Sequence, residues 1–187
     1  MDVRSFTVGP FAENTYIIRR DGSDKAIVID PGDEAPRLLA AIDELGADVE
    51  AILLTHTHVD HVGAVTPVAE ATGATVYCPV LEVPMLADIM GFTPIPGIGP
   101  YEGYDADETL AGGEHLEIAG FDIDVLFQGS VGRVDLPGGD WPTLAKSLQM
   151  LVDSHPGETV VYPGHMGLTT LEREVASNPF LAELPAR

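Results

Sequence analysis

The sequence predicts an α/β domain in which buried strands alternate with helices. Lys25 to Asp30 and Val49 to Leu54 are nearly continuous apolar runs, as expected of strands that are buried on both faces of a sheet. Between them, Glu34 to Leu45 places leucine and isoleucine residues at helical spacing, and Gly46 ends the pattern. This strand–helix–strand order is typical of layered α/β folds.

The remaining elements follow from the same periodicities and from turn residues. Residues 91–113 hold several prolines and glycines without an apolar period, so we predict a long surface loop there. Cys78, the single cysteine, falls in a short predicted strand and is interpreted as a packed core thiol. The other predicted strands are 4–8, 14–20, 114–119, 121–127 and 158–162, and the other predicted helices are 62–72, 143–152 and 171–176.

Length and charge limit the possible function classes. The 187 residues suit one domain, residues 1–187, with a sizeable core. The net charge of −21 makes the surface repel phosphate backbones and anionic membranes, so we expect neither a nucleic-acid nor a membrane partner. No apolar run approaches the roughly 20 residues that span a bilayer, and no basic region with an apolar core opens the chain. We therefore expect a cytoplasmic protein.

Four potential metal ligands, His56, His58, Asp60 and His61, follow the second buried strand within one short loop. Residues two apart share a face of an extended segment, so His56 and His58 can point at one ion. Asp60 and His61 follow on the turn into the next helix and can reach a second ion. Nitrogen and carboxylate ligands without thiolate suit zinc, manganese or iron in a catalytic role, and α/β sheets bind ligands at this end of their strands.

Two further side chains are the main candidates for roles at this site. His165 follows the predicted strand 158–162 after a Pro-Gly turn and is predicted to be another ligand. Asp30 ends a buried strand, where it either orients a ligating histidine or makes strand-end hydrogen bonds. His115 is interpreted as an exposed histidine and His155 as a turn residue.

Several segments together resemble the metallo-β-lactamase superfamily, specifically its glyoxalase II-like (hydroxyacylglutathione hydrolase-like) branch. They are THTHVDHVGAV at 55–65, IVIDPGDE at 27–34, GSVGRVDLPGGD at 129–140, YPGH at 162–165 and SNPF at 177–180. The resemblance implies a four-layer αβ/βα sandwich with two ions, expected to be zinc, although manganese or iron also suits the ligands. It assigns His56 and His58 to the first ion and Asp60, His61 and His165 to the second, with Asp60 also catalytic.

The chain departs from this family pattern in one region. The pattern includes a third histidine for the first ion, in a segment like HTPGH, and an aspartate that bridges both ions, in LFxGD; neither segment is present. Residues 121–125 resemble the strand before the first segment, whereas residues 126–130 resemble the stretch after the second. The chain therefore lacks about two dozen residues, enough for about two strands. The strand edges left unpaired favour a local rearrangement or a homodimer.

The resemblance implies a hydrolase for a small-molecule thioester that resembles S-acylglutathione, acting through metal-bound hydroxide. The alternative is a metal-binding relic with impaired or no catalysis, because the third histidine and the bridging aspartate are absent. A third interpretation, ranked lower, is a single-iron sulfur dioxygenase of the same superfamily.

Overall fold

The computed structural model describes residues 1–111, 115–124 and 141–181. The chain divides into two compact units, Met1–Val125 and Leu126–Arg187. The boundary between the units is the junction at which the sequence predicts the missing segment. The single domain over residues 1–187 stays a prediction.

A six-stranded mixed sheet forms the centre of the first unit, and its strands are neighbours in chain order. The first two pairings are antiparallel and the other three are parallel. The strands are β1 (Asp2–Val8), β2 (Glu13–Arg19), β3 (Lys25–Ile29), β4 (Asp48–Leu53), β5 (Thr75–Pro79) and β6 (Glu108–Leu110).

Helices connect the parallel strands, because two parallel neighbours can be joined only by a crossover. Each crossover of the first unit holds one or two of them. They are α1 (Ala35–Leu45) before β4, α2 (Val59–Val62) and α3 (Val65–Thr72) before β5, and α4 (Val83–Ala87) and α5 (Ile89–Phe92) before β6.

Strands β3 and β4 are buried on both faces, as their apolar runs predict. On one face Val28 and Ile52 pack in the main core, into which α1 inserts Leu38. On the other face Ile27 and Leu53 belong to a smaller cluster that includes residues of a hairpin, β7 (His115–Ile118) and β8 (Phe121–Asp124). This double burial anchors the carboxyl end of β4, from which the histidine loop emerges.

The prediction of a loop over residues 91–113 is wrong at both ends. Helix α5 continues to Phe92, and residues 108–110 form β6. This edge strand carries no apolar alternation, and its position depends on long-range pairing: it lies parallel to β5, and the Asp107 carboxylate accepts a hydrogen bond from the Val76 N–H at 2.8 Å. The predicted helix 62–72 is likewise divided into α2 and α3.

The described part of the second unit contains α6 (Trp141–Ser154), β9 (Val160–Val161), β10 (Thr169–Thr170) and α7 (Leu171–Ser177). Strand β9 pairs with β10 in antiparallel fashion. The GSVGRVDLPGGD segment lies outside the described residues. Among those that are described, every helix is too short or too polar to cross a membrane.

Candidate metal centre

The histidine loop starts where β4 ends and presents its first two imidazoles side by side. His56 Nε2 lies 2.9 Å from His58 Nδ1, and the ring centroids are 4.4 Å apart in an edge-on arrangement. The two rings therefore share one face of the extended segment, as their spacing predicts. Their facing nitrogens lie within hydrogen-bond distance of each other.

Helix α2 brings two more candidate ligands to the same place. The His61 ring centroid lies 4.0 Å from that of His56, and His61 Nε2 lies 3.9 Å from Asp60 Oδ2. His61 is 3% exposed, whereas Asp60 and His56 are partly accessible. The four side chains of the loop thus form one cluster at the carboxyl end of β4.

Asp30, directly after β3, makes strand-end hydrogen bonds and also contacts the ring of His61. Its Oδ1 accepts a hydrogen bond from the Thr55 N–H at 2.7 Å, and its Oδ2 accepts one from the Thr55 hydroxyl at 2.5 Å. The same Oδ2 lies 3.0 Å from His61 Nδ1. A carboxylate can only accept, so Nδ1 carries the proton and Nε2 keeps its lone pair facing Asp60.

The backbone of Asp30 adopts a left-handed conformation with φ of 45°. A non-glycine residue rarely does so unless the surrounding structure compensates the strain. Here the compensation is the set of hydrogen bonds that the side chain makes to Thr55 and His61. Ligand atoms of Asp30, His56 and His61 all lie within 4.8 Å of one another.

Glu13, which sequence reasoning missed, is buried behind this cluster at 0% exposure. Its Oε2 accepts a hydrogen bond from the Thr15 hydroxyl at 3.2 Å. Its Oε1 has no hydrogen-bond partner among the described residues and lies 3.9 Å from His61 Nδ1. Burial raises the pKa of the Glu13 carboxyl to about 9, with the negative charge of Asp30 as the second cause. Only the fold reveals this residue, because its sequence position at the end of a turn suggests exposure.

Two glycines allow the loop after β3 to pack directly against the histidine loop. A Cβ atom at Gly32 would overlap the carbonyl oxygen of Asp60, and one at Gly63 would lie 2.5 Å from the Gly32 carbonyl oxygen. The Ala64 N–H also donates to the Pro31 carbonyl at 2.9 Å. The two motifs that the sequence singled out therefore form one closely packed backbone unit.

The residues present fit a divalent cation. Imidazole nitrogens and carboxylate oxygens converge without thiolate, which is a donor set suited to zinc, manganese or iron. Behind the histidines, the buried Glu13 adds a carboxyl oxygen, Oε1, that lies 3.9 Å from His61 Nδ1. The assignment of His56, His58, Asp60 and His61 as ligands stays a prediction.

The other histidines differ in what the structure says about them. His165 follows β9 in the second unit and has an exposed side chain; its ligand role stays a prediction. His155 Nδ1 lies 2.9 Å from the Ser154 hydroxyl and 3.2 Å from the Leu151 carbonyl oxygen, so it belongs to the end of α6. The side chain of His115 lies outside the described residues.

Comparison with known proteins agrees with this geometry. The sequence profile of the metallo-β-lactamase superfamily matches residues 8–123. The hydroxyacylglutathione hydrolase GloC of Haemophilus influenzae is 31% identical, over 97% of this chain and 98% of GloC. That alignment spans 209 positions against the 187 residues of this chain. Since 97% of the chain, about 181 residues, is aligned, roughly 28 alignment positions have no counterpart here, which is similar in size to the predicted missing segment.

Two solved structures resemble the whole chain. The crystal structure of the BLEG-1 B3 metallo-β-lactamase has a TM-score of 0.85 at 31% identity and covers 96% of this chain and 99% of its own. The crystal structure of TTHA1623 in a di-iron-bound form has a TM-score of 0.78 at 36% identity and covers 95% of this chain and 100% of its own. The predicted α/β fold class is confirmed by these matches.

Proposed function

Because the chain belongs to the metallo-β-lactamase superfamily, we propose that it is a metal-dependent hydrolase of thioesters that resemble S-acylglutathione. The observation that carries the reaction class is the convergence of the three loop histidines and Asp60 beside a buried positioning carboxylate. The substrate class rests on the 31% identity to GloC over nearly the whole of both chains.

Zinc is the proposed metal, with manganese or iron as alternatives for the same donor set. His56 and His58 would hold one ion, and Asp60, His61 and His165 the other. When bound, a divalent cation supplies Lewis acidity, which makes water acidic enough to attack at neutral pH and polarises a carbonyl group.

The chain's own residues prepare the site for this reaction. Asp30 holds His61 with its Nδ1 protonated, so that Nε2 keeps its lone pair for a metal ion. The Asp60 carboxylate accepts a hydrogen bond from the attacking water and so orients the water oxygen toward the thioester carbonyl. The water oxygen adds to the carbonyl carbon, the carbon–sulfur bond breaks, and the products are a carboxylic acid and a thiol.

Thiol release from a thioester panel tests the proposal. Purified protein, reconstituted with zinc, manganese or iron, is incubated with S-lactoylglutathione and simpler S-acyl thiols, and the free thiol is measured with a chromogenic disulfide. We expect turnover that a chelator abolishes and that D60N lowers by about 100-fold or more. H155A is the matched control, since His155 lies at the end of α6, and it should retain wild-type turnover. No thiol release from any substrate with any of the three metals would refute the thioesterase proposal.

A second candidate is β-lactam hydrolysis, favoured by the 31% identity and TM-score of 0.85 to the BLEG-1 metallo-β-lactamase. A chromogenic cephalosporin run beside the thioester panel separates the two, because only one of the two substrates should turn over efficiently. Metal uptake without turnover of either substrate would instead support the relic alternative, in which the absent histidine and aspartate leave binding without catalysis.

A further inference from the structure

Thr57, the residue between His56 and His58, is held from behind by a carboxylate. Thr57 is 4% exposed. Its backbone N–H donates to Glu82 Oε2 at 2.9 Å, and its hydroxyl donates to the same oxygen at 2.6 Å. Since alternate residues of an extended segment point to opposite sides, Glu82 binds the side of the loop opposite to the two histidines.

Glu82 itself is firmly placed. It follows β5, the parallel neighbour of β4, and its own N–H donates to the Pro79 carbonyl at 2.8 Å. Its carbonyl accepts hydrogen bonds from the Met85 and Leu86 N–H groups at 3.0 and 3.1 Å at the start of α4. Leu86 is 0% exposed and belongs to the main core. The carboxylate therefore extends from a segment that is anchored to the core at both ends.

The geometry of the two histidines depends on the backbone of the one residue between them. The direction of the Thr57 N–H defines the plane of the peptide that joins it to His56, and the hydroxyl bond fixes the Thr57 side chain. Hydrogen bonds to a carboxylate are about twice as strong as those between neutral groups. Two such bonds to one oxygen hold this backbone in the conformation that brings His56 Nε2 to 2.9 Å from His58 Nδ1.

We propose that Glu82 is a positioning residue for the metal centre, acting through Thr57 to keep His56 and His58 converged. In this role Glu82 acts through its two hydrogen bonds to Thr57 and not as a metal ligand. The inference rests on the proposed function in one respect, namely that the two histidines bind an ion. Binding of that ion would then also depend on Glu82, which lies 25 positions from Thr57 in the sequence.

Four variants distinguish positioning from a general contribution to stability. E82A removes the acceptor, whereas E82Q keeps an oxygen that can accept both hydrogen bonds. T57V keeps the N–H bond and the branched shape but loses the hydroxyl bond, and it remains informative if E82A does not fold. E70A is the matched control, because Glu70 is an exposed glutamate on α3.

Two measurements are made on each full-length variant. The first is zinc affinity, by competition with a chromophoric chelator; the second is hydrogen–deuterium exchange of the peptide that contains residues 55–59 in metal-free protein. We expect E82A to bind zinc about 10- to 100-fold more weakly than wild type, T57V to be intermediate, and E82Q and E70A to stay close to wild type. Exchange in the 55–59 peptide should rise in E82A and be rescued in E82Q.

The outcomes separate this inference from the proposed function. If wild type binds zinc and E82A binds it equally well, the positioning role is overturned and the proposed function stands. If wild type takes up neither zinc, manganese nor iron, the proposed function fails, and hydrogen–deuterium exchange of the 55–59 peptide then decides the inference. A loop that exchanges equally in E82A and wild type would overturn the inference whatever the zinc result. An affinity loss in E82A that E82Q does not rescue would also overturn it.

Discussion

Replacing Asp30 with asparagine tests how the protein orients His61. Asp30 and His61 are 2% and 3% exposed, so water does not substitute for the contact between them. The Thr55 N–H donates to Asp30 Oδ1 at 2.7 Å, and this donor requires an acceptor. In D30N the amide oxygen therefore occupies the Oδ1 position, and the amide NH2 replaces Oδ2, which faces His61 Nδ1 at 3.0 Å.

The expected loss of zinc affinity in D30N follows from the His61 tautomer that the asparagine favours. An NH2 group opposite Nδ1 stabilises the imidazole with its proton on Nε2, and a protonated Nε2 cannot bind a metal. Returning the proton to Nδ1 leaves two N–H groups facing each other in a buried site, which costs about 1–3 kcal/mol. At about 1.4 kcal/mol per factor of ten, this corresponds to roughly 5- to 150-fold in zinc affinity. The side-chain volume hardly changes, so the fold is retained.

Two observables check the reasoning. Zinc affinity of D30N is measured by chelator competition, with D43N on the exposed side of α1 as the charge-matched control. The tautomer of His61 in metal-free protein is read from its imidazole ¹⁵N chemical shifts. Wild-type affinity in D30N, or an Nδ1-protonated His61 that persists in it, would contradict the role assigned to Asp30.

Two further predictions concern packing and the buried thiol. G32A should lower the free energy of unfolding of the metal-free protein, measured in urea, by about 1–3 kcal/mol, because the added Cβ overlaps the Asp60 carbonyl and lies 2.6 Å from Glu13 Oε2. The control is G167A, whose Cβ would meet nothing within 4 Å and which should change the free energy of unfolding by no more than about 0.5 kcal/mol. Equal effects of the two substitutions would argue against close packing of the two loops. Burial, aided by the nearby carboxylate of Glu82, raises the pKa of Cys78 to about 12, so the folded protein keeps the thiol protonated from pH 7 to 10. Iodoacetamide should therefore label Cys78 only slowly throughout that range. In unfolded protein the labelling rate should rise through about pH 8.5. Labelling of the folded protein at the unfolded rate would mean that Cys78 is not buried.

The elements with strong local signals were predictable. Strands β3 and β4 are apolar on both faces because both faces are covered, and α1 ends at Gly46, which adopts φ of 58°. The short edge strand β6 was not predictable, since its three residues pair with β5 without any apolar alternation of their own. Local propensity does not depend on a pairing partner that lies far away in the sequence.

The same division applies to the candidate site. His56, His58, Asp60 and His61 are adjacent in sequence, so their spacing already predicts a shared cluster. Glu13 and Glu82, in contrast, reach the loop from 48 and 25 positions away. Both are acidic residues next to turns, where exposure is the usual outcome. Asp30 could be anticipated because the end of a parallel strand next to a ligand loop is where such a carboxylate is useful.

Metal content tests the central claim most directly. Wild-type protein and H61A are reconstituted with zinc, passed through size-exclusion chromatography, and analysed by elemental analysis on the monodisperse fraction. We expect at least about one zinc ion per chain in wild type, since the three proposed ligands of the second ion match the number of protein ligands that a catalytic zinc typically has. We expect a clear loss of zinc in H61A. Wild-type protein that is folded and monodisperse yet carries no zinc, manganese or iron after reconstitution would contradict the assignment of the histidine loop as a metal centre.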